Sequence, residues 1–334
     1  SIFTDEQMAE MEEYYNRFGI ADFKFYMCGV KGVFPGVTDG FIFEGFRKVA
    51  KMDALACVHC EDQSMADVAF EKISKEKPDG TLADWADSSP NMAEEEAIIR
   101  AFYLANQAGN RLYIVHTSTK EGADRLAELY KTGGKNVFAE TTSAYLSVNK
   151  NDSAGLLAKM VPPLRGEEDI EGLWNRVQDD TISCFGTDNV SMAKEVKQAE
   201  KGMLGAMPGY PILQTHLPAL LTEGYHKRNV PLETILTKAT KNPAQIFGIY
   251  PQKGTIAVGS DADLVVLDIG KEVKVDSSKL FSYGGFSLYE GKTLKGWPEV
   301  VVKSGKVAFR DGNVTVDPGV GNYLRRTLSE KGAK

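Results

Sequence analysis

The chain has 334 residues, of which 43% are hydrophobic and 25% charged, with a formal net charge of −7 at pH 7. Such a composition is typical of a globular protein with one large domain, or a large and a small one. The acidic balance gives no electrostatic reason to expect nucleic acid or an anionic membrane as a partner. We see no transmembrane run and no secretory signal. The four cysteines, Cys28, Cys57, Cys60 and Cys184, lie in or beside apolar runs, which favours buried thiols in a reducing compartment. We therefore expect a cytoplasmic protein without membrane or nucleic-acid partners.

The first predicted helix starts at a capping box, Thr4-Asp5-Glu6-Gln7, and continues with apolar residues at helical spacing to Gly19. Residues 21–27 are predicted to form a strand that carries Lys24 in the middle of an aromatic run. A loop rich in Gly, Pro and Asp follows over 29–40, and then a helix over 41–52.

Three further strands share one plan, an apolar run that ends in a side chain able to bind a metal. The run at 55–62 carries His59, the run at 111–117 carries His116, and the run at 182–189 carries Asp188. Near-continuous apolar strands are typical of a parallel sheet buried on both faces, and in a closed β/α barrel the reactive side chains lie where such strands end. The repeated plan predicts one convergent site.

Helices and strands alternate around these three runs, which favours βαβ units and a parallel sheet. Residues 61–90 are predicted to be an extended active-site loop with some helix. The remaining predicted elements are helices at 92–109, 120–132, 167–180, 212–224 and 231–240, a strand at 136–142, and short strands at 255–259, 263–268, 300–302 and 306–309. The last four predict a small β domain after the α/β part.

Two imidazoles and a carboxylate suit zinc or a similar divalent ion with room for water or substrate. A single histidine at a strand end is more often a hydrogen-bonded structural residue than a metal ligand. Two histidines and an aspartate on three equivalent strand ends favour a metal site more strongly. Lys24 has several interpretations: it points outward, it is buried with a lowered pKa, or carbon dioxide converts it to a carbamate that binds metal. Spacing alone does not choose between them.

Other polar residues near the strand ends have weaker interpretations. His216 and His226 lie on helical patterns and are predicted to be structural or surface residues. Glu61, Asp62 and Glu140 follow strands, and they either orient metal ligands or are simply exposed to solvent.

Several motifs, in order along nearly the whole chain, resemble those of the cyclic amidohydrolases, and most closely the dihydropyrimidinase and hydantoinase group. They are Phe23-Lys24-Phe25-Tyr26-Met27, Val58-His59-Cys60-Glu61-Asp62, Ile114-Val115-His116-Thr117-Ser118, Val161-Pro162-Pro163-Leu164-Arg165, Gly186-Thr187-Asp188, Asn242-Pro243-Ala244-Gln245 and Lys253-Gly254-Thr255-Ile256 with Gly259-Ser260-Asp261-Ala262-Asp263-Leu264. The resemblance implies an α/β fold, a metal-dependent (β/α) barrel over residues 1–250. Residues 251–334 would then be part of a flanking β-sandwich and a C-terminal tail. The implied enzyme is a cyclic amidohydrolase that acts on non-peptide C–N bonds.

The resemblance also implies roles for individual residues. Lys24 matches the carbamylated lysine that bridges two metals, His59 and His116 match the histidines of the second metal site, and Asp188 matches the ligand that is also the general base. Val161, Lys201 and Gly202 match the positions that bind substrate. The implied cofactor is a divalent metal, zinc, as one or two ions. The implied partners are a small cyclic amide or ureide and further copies of the chain in a dimer or tetramer.

The sequence departs from the family pattern in ways that leave an alternative open. It has no His-x-His pair for the first metal site, and it begins just before the lysine strand, so we expect the first barrel strands and part of the sandwich to be missing. The family's tyrosine after the lysine has no clear counterpart in residues 28–32. The alternative is a non-catalytic scaffold on the same fold, or an inactive truncated fragment.

Overall fold

The computed structural model describes residues 1–30, 33–134 and 136–326. Lys31 and Gly32, in the stretch predicted to lack the family's tyrosine, lie outside the described residues, as does the end of the predicted C-terminal tail, 327–334.

A five-stranded parallel sheet forms the centre of the α/β part, and its strands are ordered in space as they are along the chain. The strands are β1 (Asp22–Tyr26), β2 (Leu55–His59), β3 (Arg111–Ile114), β4 (Val137–Thr142) and β5 (Cys184–Gly186). Tyr26 pairs with His59 and Thr142 pairs with Gly186, so the carboxyl ends of neighbouring strands lie side by side. The predicted common edge therefore exists.

Helices connect the strands and cover the sheet, and five of those in the described residues begin at a Thr or Asp whose side chain caps them. They are α1 (Asp5–Glu13), α2 (Asp39–Lys51), α3 (Gln63–Glu76), α4 (Leu82–Asp87), α5 (Asn91–Ala108), α6 (Lys120–Thr132), α7 (Glu167–Gln178), α8 (Lys194–Lys197), α9 (Gly202–Gly205), α10 (Leu213–Leu220), α11 (Leu232–Ala239) and α12 (Lys241–Ile246). The capping box predicted at Thr4 is present, because its hydroxyl accepts the Gln7 amide and the Gln7 side chain returns to the Thr4 backbone. Among the described helices, none is long and apolar enough to cross a membrane.

Aromatic and aliphatic side chains fill the space between sheet and helices. Phe25 on β1 is fully buried and packs edge-on against Phe46 of α2, with the ring centroids 5.7 Å apart. Trp174 of α7 packs against Phe185 on β5 and donates its indole N–H to the Leu146 carbonyl. All four cysteines are buried, and none forms a disulfide in the described part of the chain, as the sequence predicted.

A second sheet of four antiparallel strands follows the α/β part. It consists of β6 (Leu264–Lys274), β7 (Thr293–Lys303), β8 (Lys306–Arg310) and β9 (Asn313–Val314). The Lys295 amide of β7 donates to the Thr222 hydroxyl, which joins this sheet to the α/β part. The α/β class with a small appended β unit is confirmed.

Two sequence predictions about local structure are wrong. Residues 61–90 are mostly helical, in α3 and α4, because Asp62 caps α3 by accepting the Met65 amide at 2.9 Å. None of the α3 residues is fully buried, although Met65, Ala69 and Ile73 lie at helical spacing on a half-buried face, so the helical pattern was present in the sequence. Residues 255–259 form no strand, and Ile256 is 88% exposed. An apolar run becomes a strand only where a neighbouring strand pairs with it, and the described residues offer none there.

Candidate metal centre at the carboxyl edge of the parallel sheet

Two predicted metal ligands, His59 and His116, are in direct contact. His59 is the last residue of β2 and His116 follows β3, and the side chains are 1% and 3% exposed. The His59 Nδ1 and the His116 Nε2 lie 3.0 Å apart, and the rings cross edge to face. The sequence therefore identified two residues, 57 positions apart, that the fold brings together.

Glu61 orients the His59 ring. Its Oε2 lies 2.8 Å from the His59 Nε2, and its other oxygen accepts a hydrogen bond from the Ser89 hydroxyl. Burial by itself raises the pKa of Glu61, but the contacts with His59, the charge of Arg165 and the Ser89 hydrogen bond bring the pKa below its ordinary value. An ionised carboxylate only accepts, so the His59 Nε2 donates to Glu61, and Nδ1 is the nitrogen that faces His116. Glu61 is 1% exposed, which excludes the interpretation as a solvent-exposed residue.

Glu140 of β4 braces the backbone at His116. His116 has a φ of 41°, a left-handed conformation that is uncommon for residues other than glycine. Its amide donates to the Glu140 Oε1 at 3.1 Å, and the Tyr113 hydroxyl donates to the other carboxylate oxygen at 2.8 Å. Burial, followed by the charges of Lys24 and His59, lowers the pKa of His116 well below its ordinary value. His116 is thus a neutral imidazole, the form that binds metals.

Lys24 and Asp188 lie close enough to the histidine pair to interact with it through their charges, but in the described residues neither forms a hydrogen bond with a histidine. Lys24 is half-buried on β1, with its ammonium 4.8 Å from the centre of the Tyr26 ring. Asp188, just past β5, has a φ of 46°. Burial raises the pKa of Asp188, and the charges of Lys24 and His59 act against that shift. Within residues 1–30, 33–134 and 136–326, no hydrogen bond or ion pair joins Lys24 to Asp188.

The histidine pair fits one divalent ion. Two nitrogens that bind a tetrahedral zinc at about 2.0–2.1 Å are about 3.3 Å apart, close to the observed separation. At this edge of the sheet, as in the rest of the described residues, no group of three or more His, Cys, Asp or Glu side chains is placed to hold a metal. A complete ligand set would therefore need Lys24 in addition to the two histidines.

A cavity of about 500 Å³ reaches Glu61, the carboxylate that contacts His59, but its described lining includes neither histidine. Glu61, Ser89 and Val161 line it, so one of the three predicted substrate-binding residues faces this space. Lys201 and Gly202 do not belong to its described lining, although Gly202 begins α9, whose Leu204 and Gly205 do. The roles of all three remain predictions.

Sequence reasoning missed two lysines that hold one wall of this cavity. The Lys159 ammonium donates to the carbonyls of Met203 and Ala206 at 2.7 and 2.6 Å. The Lys197 ammonium donates to the carbonyls of Lys159 and Gly209 at 2.7 and 2.6 Å. Neither residue lies in an apolar pattern or a motif, so no sequence signal would have found them.

The two remaining histidines have structural contacts, as predicted. The His216 Nδ1 is 2.8 Å from the Ser143 hydroxyl, and the His226 Nε2 is 2.9 Å from the Ile269 carbonyl. Asp62 caps α3 and also pairs with Arg100, which gives it a structural role.

Comparisons with known proteins show which family and which solved structures the chain resembles. Residues 29–308 match the amidohydrolase family. The chain is 34% identical to an L-hydantoinase from Paenarthrobacter aurescens over 319 residues, which cover 92% of this chain and 68% of the relative. An allantoinase from Rubrobacter xylanophilus is 33% identical over 98% of this chain and 71% of its own length. A solved D-hydantoinase structure superposes with a TM-score of 0.90 at 29% identity, over 97% of this chain and 71% of that one.

Proposed function

The chain belongs to the amidohydrolase family, and from that premise we propose that it hydrolyses an amide C–N bond in the ring of a small cyclic amide or ureide. The family, the α/β barrel type of fold and the cyclic amidohydrolase class predicted from the sequence are all confirmed. The relatives compared carry enzyme names, which favours catalysis over the non-catalytic scaffold.

The contact between the buried side chains of His59 and His116 is the observation that carries the proposal. Because their facing nitrogens are 3.0 Å apart and His116 is neutral, the pair is suited to bind a divalent ion, for which we propose zinc. Lys24, as a carbamate, would complete the ligand set, with Asp188 as a further ligand. When bound, the ion supplies Lewis-acid polarisation of the ring carbonyl and activation of water.

The chain's own residues supply binding and proton transfer. Asp188 takes a proton from the attacking water and passes it to the ring nitrogen as the C–N bond breaks, so its carboxylate ends the reaction as it began. Val161, in the cavity wall, is proposed to contact the substrate through its backbone, together with Lys201 and Gly202. A dimer or tetramer and a cytoplasmic location are further proposals of the same hypothesis.

The test combines metal analysis with one substitution. Protein purified without chelator is expected to contain about one divalent ion per chain, and to open the ring of hydantoin, dihydrouracil or allantoin. Asp188→Asn is expected to lower turnover by about 100-fold or more with the fold retained, because it removes the general base.

Asp87→Asn is the matched control, because Asp87 is exposed on α4 and pairs only with Lys150 in the described residues. Turnover by Asp188→Asn equal to that of the control would refute the assignment of the base. A protein that contains no metal and opens none of the three rings would refute the proposed function.

A further inference from the structure

Arg165, which no catalytic role explains, is buried between two carboxylates. Its side chain is 3% exposed, with Nη2 at 3.8 Å from the Glu61 Oε1. Its Nη1 donates to the Ser89 carbonyl, and its Nε donates to the Ser118 hydroxyl at 3.1 Å. The Nη2 has no hydrogen-bond acceptor among the described residues, so only the charge of Glu61 holds that end of the guanidinium.

Arg165 is linked to His59 and to His116 through two different serines. Through Ser89, whose hydroxyl donates to Glu61 at 2.5 Å, Arg165 reaches the carboxylate that orients His59. Through Ser118, it reaches the chain two residues beyond His116.

Glu94 completes the link through Ser118. Its buried carboxylate accepts the Ser118 amide at 3.0 Å, the Ser118 hydroxyl at 2.6 Å and the Thr119 amide at 2.9 Å. Burial raises the pKa of Glu94, and the charge of Arg165 opposes the shift first among its neighbours. The Arg165 guanidinium therefore offsets the charges of two carboxylates: Glu61, which contacts His59, and Glu94, which binds the chain just after His116.

We propose that Arg165 is the positioning residue of the histidine pair, holding Glu61 and the Ser118–Glu94 contact so that the His59 Nδ1 and the His116 Nε2 keep their metal-binding separation. This inference rests on the proposed function, in which the two histidines bind the metal. Val161, in the cavity wall, lies four residues before Arg165 in the same run.

The geometry requires an arginine. Arginine presents several donors in a rigid planar fork, whereas lysine offers a point charge on a flexible stem. A lysine at position 165 would keep the charge between Glu61 and Glu94 but could not donate to the Ser89 carbonyl and the Ser118 hydroxyl in the same way. Arg165→Lys thus separates the positioning effect from loss of charge.

The experiment is a Co²⁺ titration of the metal-free full chain against a chromophoric competitor, with the visible spectrum of the bound ion recorded. Arg165→Lys is expected to weaken Co²⁺ binding by about 10- to 100-fold and to change the spectrum, as losses of groups behind metal ligands do. Arg228→Lys is the control, because Arg228 also joins two carboxylates, Glu171 and Glu223, with its side chain 18% exposed. The Co²⁺ affinity of Arg228→Lys is expected to stay within about twofold of that of the parent protein.

Two further variants keep the test decisive. If Arg165→Lys does not fold, Ser118→Ala removes one of the same contacts and is expected to weaken Co²⁺ binding in the same direction. In a Glu61→Gln background, the effect of Arg165→Lys is expected to shrink, because coupled residues are not additive. Unchanged Co²⁺ affinity and spectrum in both Arg165→Lys and Ser118→Ala, or an undiminished effect in the Glu61→Gln background, would overturn the inference.

A readout without metal separates this inference from the proposed function. In ¹⁵N NMR of the metal-free protein, His59 is expected to carry its proton on Nε2, and Arg165→Lys is expected to mix the two tautomers. Failure of the parent protein both to bind any metal and to open any of the three rings would refute the function. An unchanged His59 tautomer in Arg165→Lys would refute the positioning role alone.

Discussion

Lys197 is the buried group whose removal has the most clearly defined consequence for stability. It is 0% exposed, and its ammonium donates to the carbonyls of Lys159 and Gly209. Burial, followed by the charge of Lys159, lowers the pKa of Lys197 from 10.5 to about 7. Since this lysine and Lys159 hold the 201–208 segment against the cavity, its protonation affects a wall of the candidate site.

The sign of the pH dependence follows from the two pKa values. Below pH 7 both states carry the proton, and the folded state bears the full cost of burying it. Between pH 7 and 10.5 the unfolded chain binds more protons than the folded one, so the free energy of unfolding rises with pH. From pH 7 to pH 9 this single group contributes a gain of about 2 kcal/mol. Lys159, whose pKa burial lowers to about 8, acts in the same direction.

The assay is urea unfolding at pH 7 and pH 9 of the parent protein, Lys197→Met and the control Lys131→Met, an exposed position on α6. Between pH 7 and pH 9, the free energy of unfolding of the parent and of the control is expected to rise by about 2 kcal/mol more than that of Lys197→Met. A gain in Lys197→Met equal to that of the parent would refute the reasoning, because the titrating group would then be another one.

Two further substitutions test the packing beneath the site. In Gly186→Ala the new Cβ would lie 2.2 Å from the Glu140 carboxyl carbon, so Glu140 must leave its contacts with the His116 amide and Tyr113. Urea unfolding is expected to show a loss of about 1–3 kcal/mol. Gly40→Ala, whose Cβ meets nothing within 4 Å, should be neutral or stabilising, and equal behaviour of the two variants would contradict the steric argument. Trp174→Ala removes an indole that is 1% exposed and is expected to cost about 3–5 kcal/mol, measured in the same way. The control Tyr103→Ala, at a side chain 61% exposed, is expected to change stability by less than about 0.5 kcal/mol, and a Trp174→Ala loss as small as that would contradict the predicted packing around α7.

The alternation of strands and helices was predictable from the sequence because it depends on local patterns. Each strand of the parallel sheet is buried on both faces and therefore reads as a short apolar run. His59, His116 and Asp188 were identified because each follows such a run, and parallel strands place their ends at one edge. The capping box at Thr4 was equally visible, since it involves residues only three positions apart.

The contacts between distant segments were decided only by the tertiary structure. The run at 255–259 looks like a strand but has no partner in the described fold, and the apolar residues of α3 are half-buried or exposed rather than in the core. Glu61 could have been exposed, and the sequence assigned no role to Arg165 or Lys197. Glu61 orients His59 from only two positions away. The hydrogen bonds that hold Glu61, support the backbone at His116 and hold the cavity wall join residues up to 76 positions apart, and such long-range contacts leave no periodic signal.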